Sequence, residues 1–171
     1  MDEKRKDDSD VSDTCQGTLD EGYAILIVEN GEVYCRDKRT GEVKKLKEYI
    51  IRKDRDIKNP IIIGREHPET TERNDILLSS NYEYASRHHC EIFFDESKNS
   101  YFLVDCSLNG TFVNGERVGG DRVNVSRKLE HNDLIEIPTS KEGCGNVQLR
   151  FVMHKRKGLI DWIKGKLTEN P

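Results

Sequence analysis

Between residues 22 and 153 the apolar residues come in runs of three to seven, and turn-forming residues close almost every run. No run keeps the three- and four-residue spacing of an amphipathic helix. Runs of this length, rich in β-branched and aromatic residues, suit strands and are too short for helices. Eleven are recognised, at residues 23–28, 33–35, 43–46, 61–63, 76–78, 91–94, 101–105, 111–113, 116–118, 134–137 and 147–153. Turns every eight to twelve residues predict an all-β, two-sheet β-sandwich of about eleven strands. Asn30-Gly31 and Asn114-Gly115 are both read as hairpin turns, because such pairs favour the positive φ that tight hairpins need.

The ends differ from this body. Residues 1–20 hold three cations against seven carboxylates and are read as a disordered acidic tail. Residues 21–154 form the sandwich domain. Residues 155–171 are a basic tail in which Leu159, Ile160, Ile163 and Leu167 recur near helical spacing, which predicts a short C-terminal helix. The net charge of −4 over 171 residues gives no global field for nucleic acid, so none is expected as a partner. No apolar stretch is long enough to span a membrane and no signal-peptide core begins the chain, so an intracellular protein is expected. Five cysteines, at 15, 35, 90, 106 and 144, have no C-x-x-C spacing and read as free thiols.

Catalytic signatures are missing. Cys144 and Arg150 stand six apart, as in a tyrosine-phosphatase phosphate loop, but the residues between them include an alternating strand pattern, and that reading is rejected. His67, His88, His89, His131 and His154 make no ligand spacing with the cysteines or acids, so no metal site and no cofactor are expected. Three donor-rich segments remain, each at a strand end. They are Gly64-Arg65, Ser86-Arg87-His88-His89 and the heptapeptide from Asn109 to Gly115. A sandwich gathers its loops at its poles. Guanidinium forks, a hydroxyl, backbone N–H groups and a carboxamide, with no base beside them, suit an anion and above all a phosphate.

The pattern GR (64–65), SRHH (86–89), NGTFVNG (109–115) and DLIEI (133–137) resembles the forkhead-associated (FHA) domain, a phosphothreonine-reading sandwich, with a weaker likeness to the FHA domains of checkpoint kinases. The resemblance implies that Arg65 grips the phosphate, that Ser86 donates its hydroxyl, that Arg87 adds its N–H and charge, and that Asn109 bonds the peptide main chain. It implies structural roles for Gly64, His89, Gly110 and Asn114, with His89 buried and shaping the Ser86 loop. Tyr82, Glu83 and Tyr84 are candidates for reading the third residue after the phosphothreonine. Leu108 stands where some members carry a polar residue. The expected function is phosphorylation-dependent protein–protein interaction in signalling, without catalysis. The expected partner carries phosphothreonine, or is a second copy of this chain phosphorylated in its tail at Ser9, Ser12, Thr14 or Thr18. A nuclear rather than cytoplasmic location, at a DNA-damage checkpoint, is a family-level expectation only. The alternative function is a phospho-independent scaffold that holds its partner with a sheet face or the C-terminal helix.

Overall fold

A computed structural model describes residues 23–142 and 145–154. The expected acidic tail and C-terminal helix lie outside these residues, and among the described residues there is no α-helix. Thirteen strands form. They are β1 (Tyr23–Asn30), β2 (Val33–Arg36), β3 (Val43–Lys45), β4 (Glu48–Ile51), β5 (Ile61–Arg65), β6 (Ile76–Leu78) and β7 (Cys90–Asp95), followed by β8 (Ser100–Asp105), β9 (Phe112–Val113), β10 (Glu116–Arg117), β11 (Val125–Lys128), β12 (Asp133–Ile137) and β13 (Val147–His154). One sheet has the order β10-β9-β12-β13-β1-β4 and the other β11-β8-β7-β5-β6-β2-β3. Of the paired strands, only β5 and β6 run parallel.

Period-two alternation puts one face of each sheet into the core. In β13, Val147, Leu149 and Phe151 are buried while Gln148 and Arg150 are not. Leu103 and Tyr101 of β8 alternate in the same way, and the Tyr101 ring meets the Phe151 ring edge-on across the sandwich at 5.4 Å. Ile51, Ile61, Ile63, Ile92 and Ile135 complete a dry, β-branched interior.

Two strands exceed the eleven expected. β4 and β11 are both edge strands, and edges carry little of the alternating apolar signal. β11 is Val-Ser-Arg-Lys and mostly exposed; its charge discourages pairing with another chain. β4 buries only Ile51 fully, beside Ala24 of β1.

The two Asn-Gly pairs behave differently. Asn114 (φ 53°) and Gly115 (φ 80°) turn β9 tightly into β10, a true hairpin. Asn30-Gly31 does not make the expected hairpin. β1 pairs with β13 and β4, whereas β2 pairs with β3 and β6, so the chain crosses between sheets there. The local turn signal is the same; what decides is the stronger pairing that β1 finds with the eight-residue β13. Gly31 (φ 100°) makes the crossing against β13, and an added Cβ would sit 2.7 Å from Val147 Cγ2.

Three strand ends meet on one rung of the second sheet. Ile63 of β5 pairs with Cys90 of β7, and Cys90 pairs with Asp105 of β8. Because β7 runs antiparallel to both neighbours, residues 64–65 at the end of β5, residues 86–89 and residues 106–111 lie at the same pole. Gly31→Ala is expected to destabilise by about 1–3 kcal/mol, from positive φ and the Val147 clash together. Urea unfolding checks this, and a change below about 0.5 kcal/mol, the usual size for a neutral surface site, would contradict it.

Candidate functional site

Asp105 closes its rung with a buried polar knot. Its Oδ1 accepts hydrogen bonds from the Ser107 hydroxyl at 2.8 Å and the Thr111 hydroxyl at 2.6 Å. The Ser107 oxygen in turn accepts from the Gly110 N–H at 2.8 Å. All three side chains are fully buried. These bonds fix the loop conformation, while Asp105 Oδ2 is buried without a hydrogen-bond partner. The knot holds residues 107–111 in a tight turn with Gly110 at φ 88°, and it presents Leu108 and Asn109 outward.

His89 joins that turn to the 86–89 segment. It is 0% exposed. Its Nδ1 accepts from the Ser86 N–H at 3.0 Å, which leaves Nε2 as the protonated nitrogen, donating to the Gly110 carbonyl at 3.3 Å. Burial, the largest influence, pushes the imidazole pKa down to about 4, against a partial upward pull from Asp105 and the Gly110 carbonyl.

The first segment is locked to the second by its backbone. Arg65 N–H donates to the Ser86 carbonyl at 2.9 Å, and Arg65 Nε donates to the Ala85 carbonyl at 3.0 Å. The second bond fixes the direction of the guanidinium and leaves its terminal nitrogens for another partner. Gly64 lies against the Arg87 carbonyl so closely that a Cβ would overlap it. Asn74 Nδ2 donates to that same carbonyl at 2.8 Å. The charged stretch 66–74 therefore ends in a buried clamp. Asn74 is one of the positioning residues that the sequence did not reveal, with Asp105, Ser107 and Thr111.

Arg65, Ser86, Arg87 and Asn109 line one cleft of about 520 Å³, with Glu83, Tyr84, Leu108, His88, Cys106 and Arg122 around them. The Ser86 oxygen accepts from the Leu108 N–H at 3.2 Å, so its proton stays free to donate. Asn109 Nδ2 donates to the Tyr84 carbonyl at 2.8 Å and ties the two walls together. Arg87 is paired with Glu69 at 3.0 Å, both side chains well exposed, and such a pair is readily exchanged. Among the described residues, Arg65 and Arg122 form no ion pair.

One candidate residue falls elsewhere, and Asn114 stands at the hairpin turn expected of it. Tyr82 does not line the cleft; its hydroxyl accepts from the Glu32 N–H at 2.7 Å and its ring packs on the core. Asn114 sits at the β9–β10 turn, where its side chain bonds Asp133 at 2.7 Å and the Leu134 N–H at 2.9 Å. Arg122 is an addition. It stands in an irregular stretch in which Gly120, Asp121 and Arg122 all have positive φ, and its N–H bonds the Ser107 carbonyl. No spacing rule brings it to the cleft.

The Cys106 and Cys90 thiols and the His89 imidazole at this pole are held in their neutral forms. Burial first, and then the Glu91 and Asp105 carboxylates, push the Cys106 thiol up to about 11. Burial raises Cys90 further still. His89 spends both nitrogens on backbone. Arg150, the arginine of the C-x5-R coincidence, forks onto Glu29 at 2.8 and 2.9 Å, and Cys144 lies outside the described residues.

Comparison with known proteins agrees with this geometry. The family model for the FHA domain matches residues 61–138, which hold all three donor segments. The chain is 33% identical over 105 residues to the human angiogenic factor with G patch and FHA domains 1, covering 60% of this chain. The matched stretch is 13% of that protein's length. Among solved structures, the kinase-interacting FHA domain of the kinase-associated protein phosphatase of Arabidopsis superposes with a TM-score of 0.54 at 20% identity, over 81% of this chain and 99% of that one. The N-terminal FHA domain of S. cerevisiae Rad53p, solved with a phosphothreonine peptide, gives 0.50 at 20% identity, over 77% and 93%.

A neutral buried histidine makes stability depend on pH. The folded state holds its pKa well below the unfolded value of about 6.5, so the contribution is whole above that pH and is lost as pH falls towards 4. Between pH 7 and 5 the protein should lose about 2 kcal/mol from His89, at 1.36 kcal/mol per unit. His89→Gln should be less stable at pH 7 and lack that slope. Urea midpoints at the two pH values check this, and equal slopes in the two proteins would contradict it.

Proposed function

We propose that the chain carries an FHA domain, whose family model matches residues 61–138, and that its pole cleft binds a phosphothreonine side chain and thereby makes a protein–protein interaction depend on phosphorylation. The observation that carries this reading is the convergence of Arg65, Ser86, Arg87 and Asn109 on one cleft whose lining is mostly donor groups. Arg65 supplies a fork aimed by its Nε bond and meets two phosphate oxygens with charge-assisted hydrogen bonds. Ser86 donates its free proton to a third. Arg87 exchanges Glu69 for the phosphate, and Asn109 holds the peptide main chain through the carboxamide oxygen that faces the bound segment. The phosphate is bound intact: burial and the neighbouring carboxylates hold the Cys106 thiol protonated, and His89 spends both nitrogens on the backbone. Glu83 and Tyr84, on the cleft wall, sort the residues that follow the phosphothreonine, and Glu83 disfavours an acidic one.

The Rad53p structure holds a phosphothreonine peptide on the same fold, and this supports the ligand class. A nuclear rather than cytoplasmic setting is part of the same proposal. Among the described residues no helix is long and apolar enough to cross a membrane. Burying the threonine methyl contributes about 0.8 kcal/mol, a few-fold preference over phosphoserine. Any larger preference comes from the methyl fixing the phosphate's orientation.

A degenerate phosphothreonine peptide library tests the proposal, with unphosphorylated and phosphoserine versions alongside. Phosphorylation-dependent binding is expected. Arg65→Ala should weaken it by about 2–4 kcal/mol, as for other truncated partners of buried charge pairs, while the circular dichroism spectrum is unchanged. Binding that ignores phosphorylation, or survives intact in Arg65→Ala, would refute the cleft assignment and favour a scaffold.

A further inference from the structure

The sheet brings together three metal-ligating side chains that the sequence keeps apart. His88 precedes β7, Glu91 is its second residue, and Cys106 follows β8. Cys90 pairs with Asp105 and the ladder continues through a hydrogen bond from the Cys106 N–H to the His89 carbonyl at 2.9 Å. His89, Cys90 and Asp105 point inward and are fully buried. Their neighbours stay nearer the surface at the same end of the two strands: His88 is exposed, and Glu91 and Cys106 are half-buried. His88 Nε2 lies 2.8 Å from Glu91 Oε1, and the imidazole nitrogen, carboxylate oxygen and Cys106 sulfur all lie within 4.8 Å of one another.

We propose that His88, Glu91 and Cys106 form a binding site for a zinc-type divalent cation on the rim of the cleft. One nitrogen, one oxygen and one sulfur donor make a borderline-soft set, which suits zinc and cobalt and is poor for magnesium or calcium. At ordinary zinc–ligand bond lengths, donors around a tetrahedral ion stand roughly 3.3–3.6 Å apart. The three side chains reach that spacing by small rotations, since the backbone beneath them is already fixed by the β7–β8 ladder. His88 is 46% exposed and Glu91 25%, so the ion has an open entry path. Three protein ligands leave the fourth position to water or an outside ligand, as in open zinc sites. On binding, the Cys106 proton leaves to solvent, and the thiolate and the Glu91 carboxylate share the cation. His88 and Cys106 line the cleft as well, so the site adjoins the proposed phosphate position but does not depend on it.

The test is metal binding to the full chain after chelator treatment. Cobalt(II) titration should saturate at one equivalent with a thiolate-to-cobalt charge-transfer band, and zinc should displace it. Cys106→Ser should abolish the band. His88→Ala and Glu91→Gln should each weaken zinc binding tenfold or more, read by calorimetry. All three positions are at the surface, and unchanged circular dichroism confirms that the variants fold. Absence of the band in the natural protein, its persistence in Cys106→Ser, or zinc affinity unaltered in both His88→Ala and Glu91→Gln would each overturn the proposal.

Discussion

A buried, neutral imidazole joins the two loops on which the cleft is built, and its two hydrogen bonds assign opposite roles to its two nitrogens. His89 accepts the Ser86 N–H and donates to the Gly110 carbonyl. Were the ring protonated, Nδ1 would present a hydrogen to the Ser86 N–H, and one wall of the cleft would lose its anchor. Burial prevents this at neutral pH by disfavouring the charged form. The remaining contacts continue from that joint. The Asp105 knot shapes the turn that Gly110 belongs to, the Ser86 carbonyl holds the Arg65 N–H, and the Arg87 carbonyl fills the space left by Gly64.

Rigidity and recognition are thus divided between the inside and outside of one rung. Ile63, Cys90 and Asp105 lie in register across three strands, so the residues just beyond them share a position set by the ladder. Inward-facing side chains at this pole bond one another and the backbone: Ser107 and Thr111 to Asp105 Oδ1, and His89 to Ser86 and Gly110. Outward-facing ones keep unused donors: the Arg65 fork, the Ser86 proton and the Arg122 guanidinium. A site of this kind suits an anion by preorganisation, with its donors aimed before any ligand arrives.

Much of this was legible in the sequence, for identifiable reasons. Alternation fixed the class of fold, because β8 and β13 carry it undiluted. The three donor segments could be read as strand ends because turn residues adjoin each. What escaped is information that no local pattern holds. β4 and β11 are edges whose exposed residues blur the period. Asn30-Gly31 has the chemistry of a hairpin but serves a crossover, since the partner of β1 lies more than a hundred residues further on. Tyr82 was placed with Glu83 and Tyr84 by adjacency, yet its ring turns inward to the core. Arg122 and Asn74 reach the pole through loops whose course depends on tertiary contacts. The meeting of His88, Glu91 and Cys106 depends on strand register, which sequence spacing does not encode.

The most direct measurement is amide chemical-shift mapping on the ¹⁵N-labelled chain during titration with a phosphothreonine peptide and its unphosphorylated match. The account predicts that the phosphopeptide moves the amides of Arg65, Ser86, Arg87, Leu108 and Asn109, while those of β4 and β10, at the sheet edges, stay in place. Shifts centred on a sheet face such as Ile25, Ile27 and Ile50, or the same shifts from the unphosphorylated peptide, would contradict it.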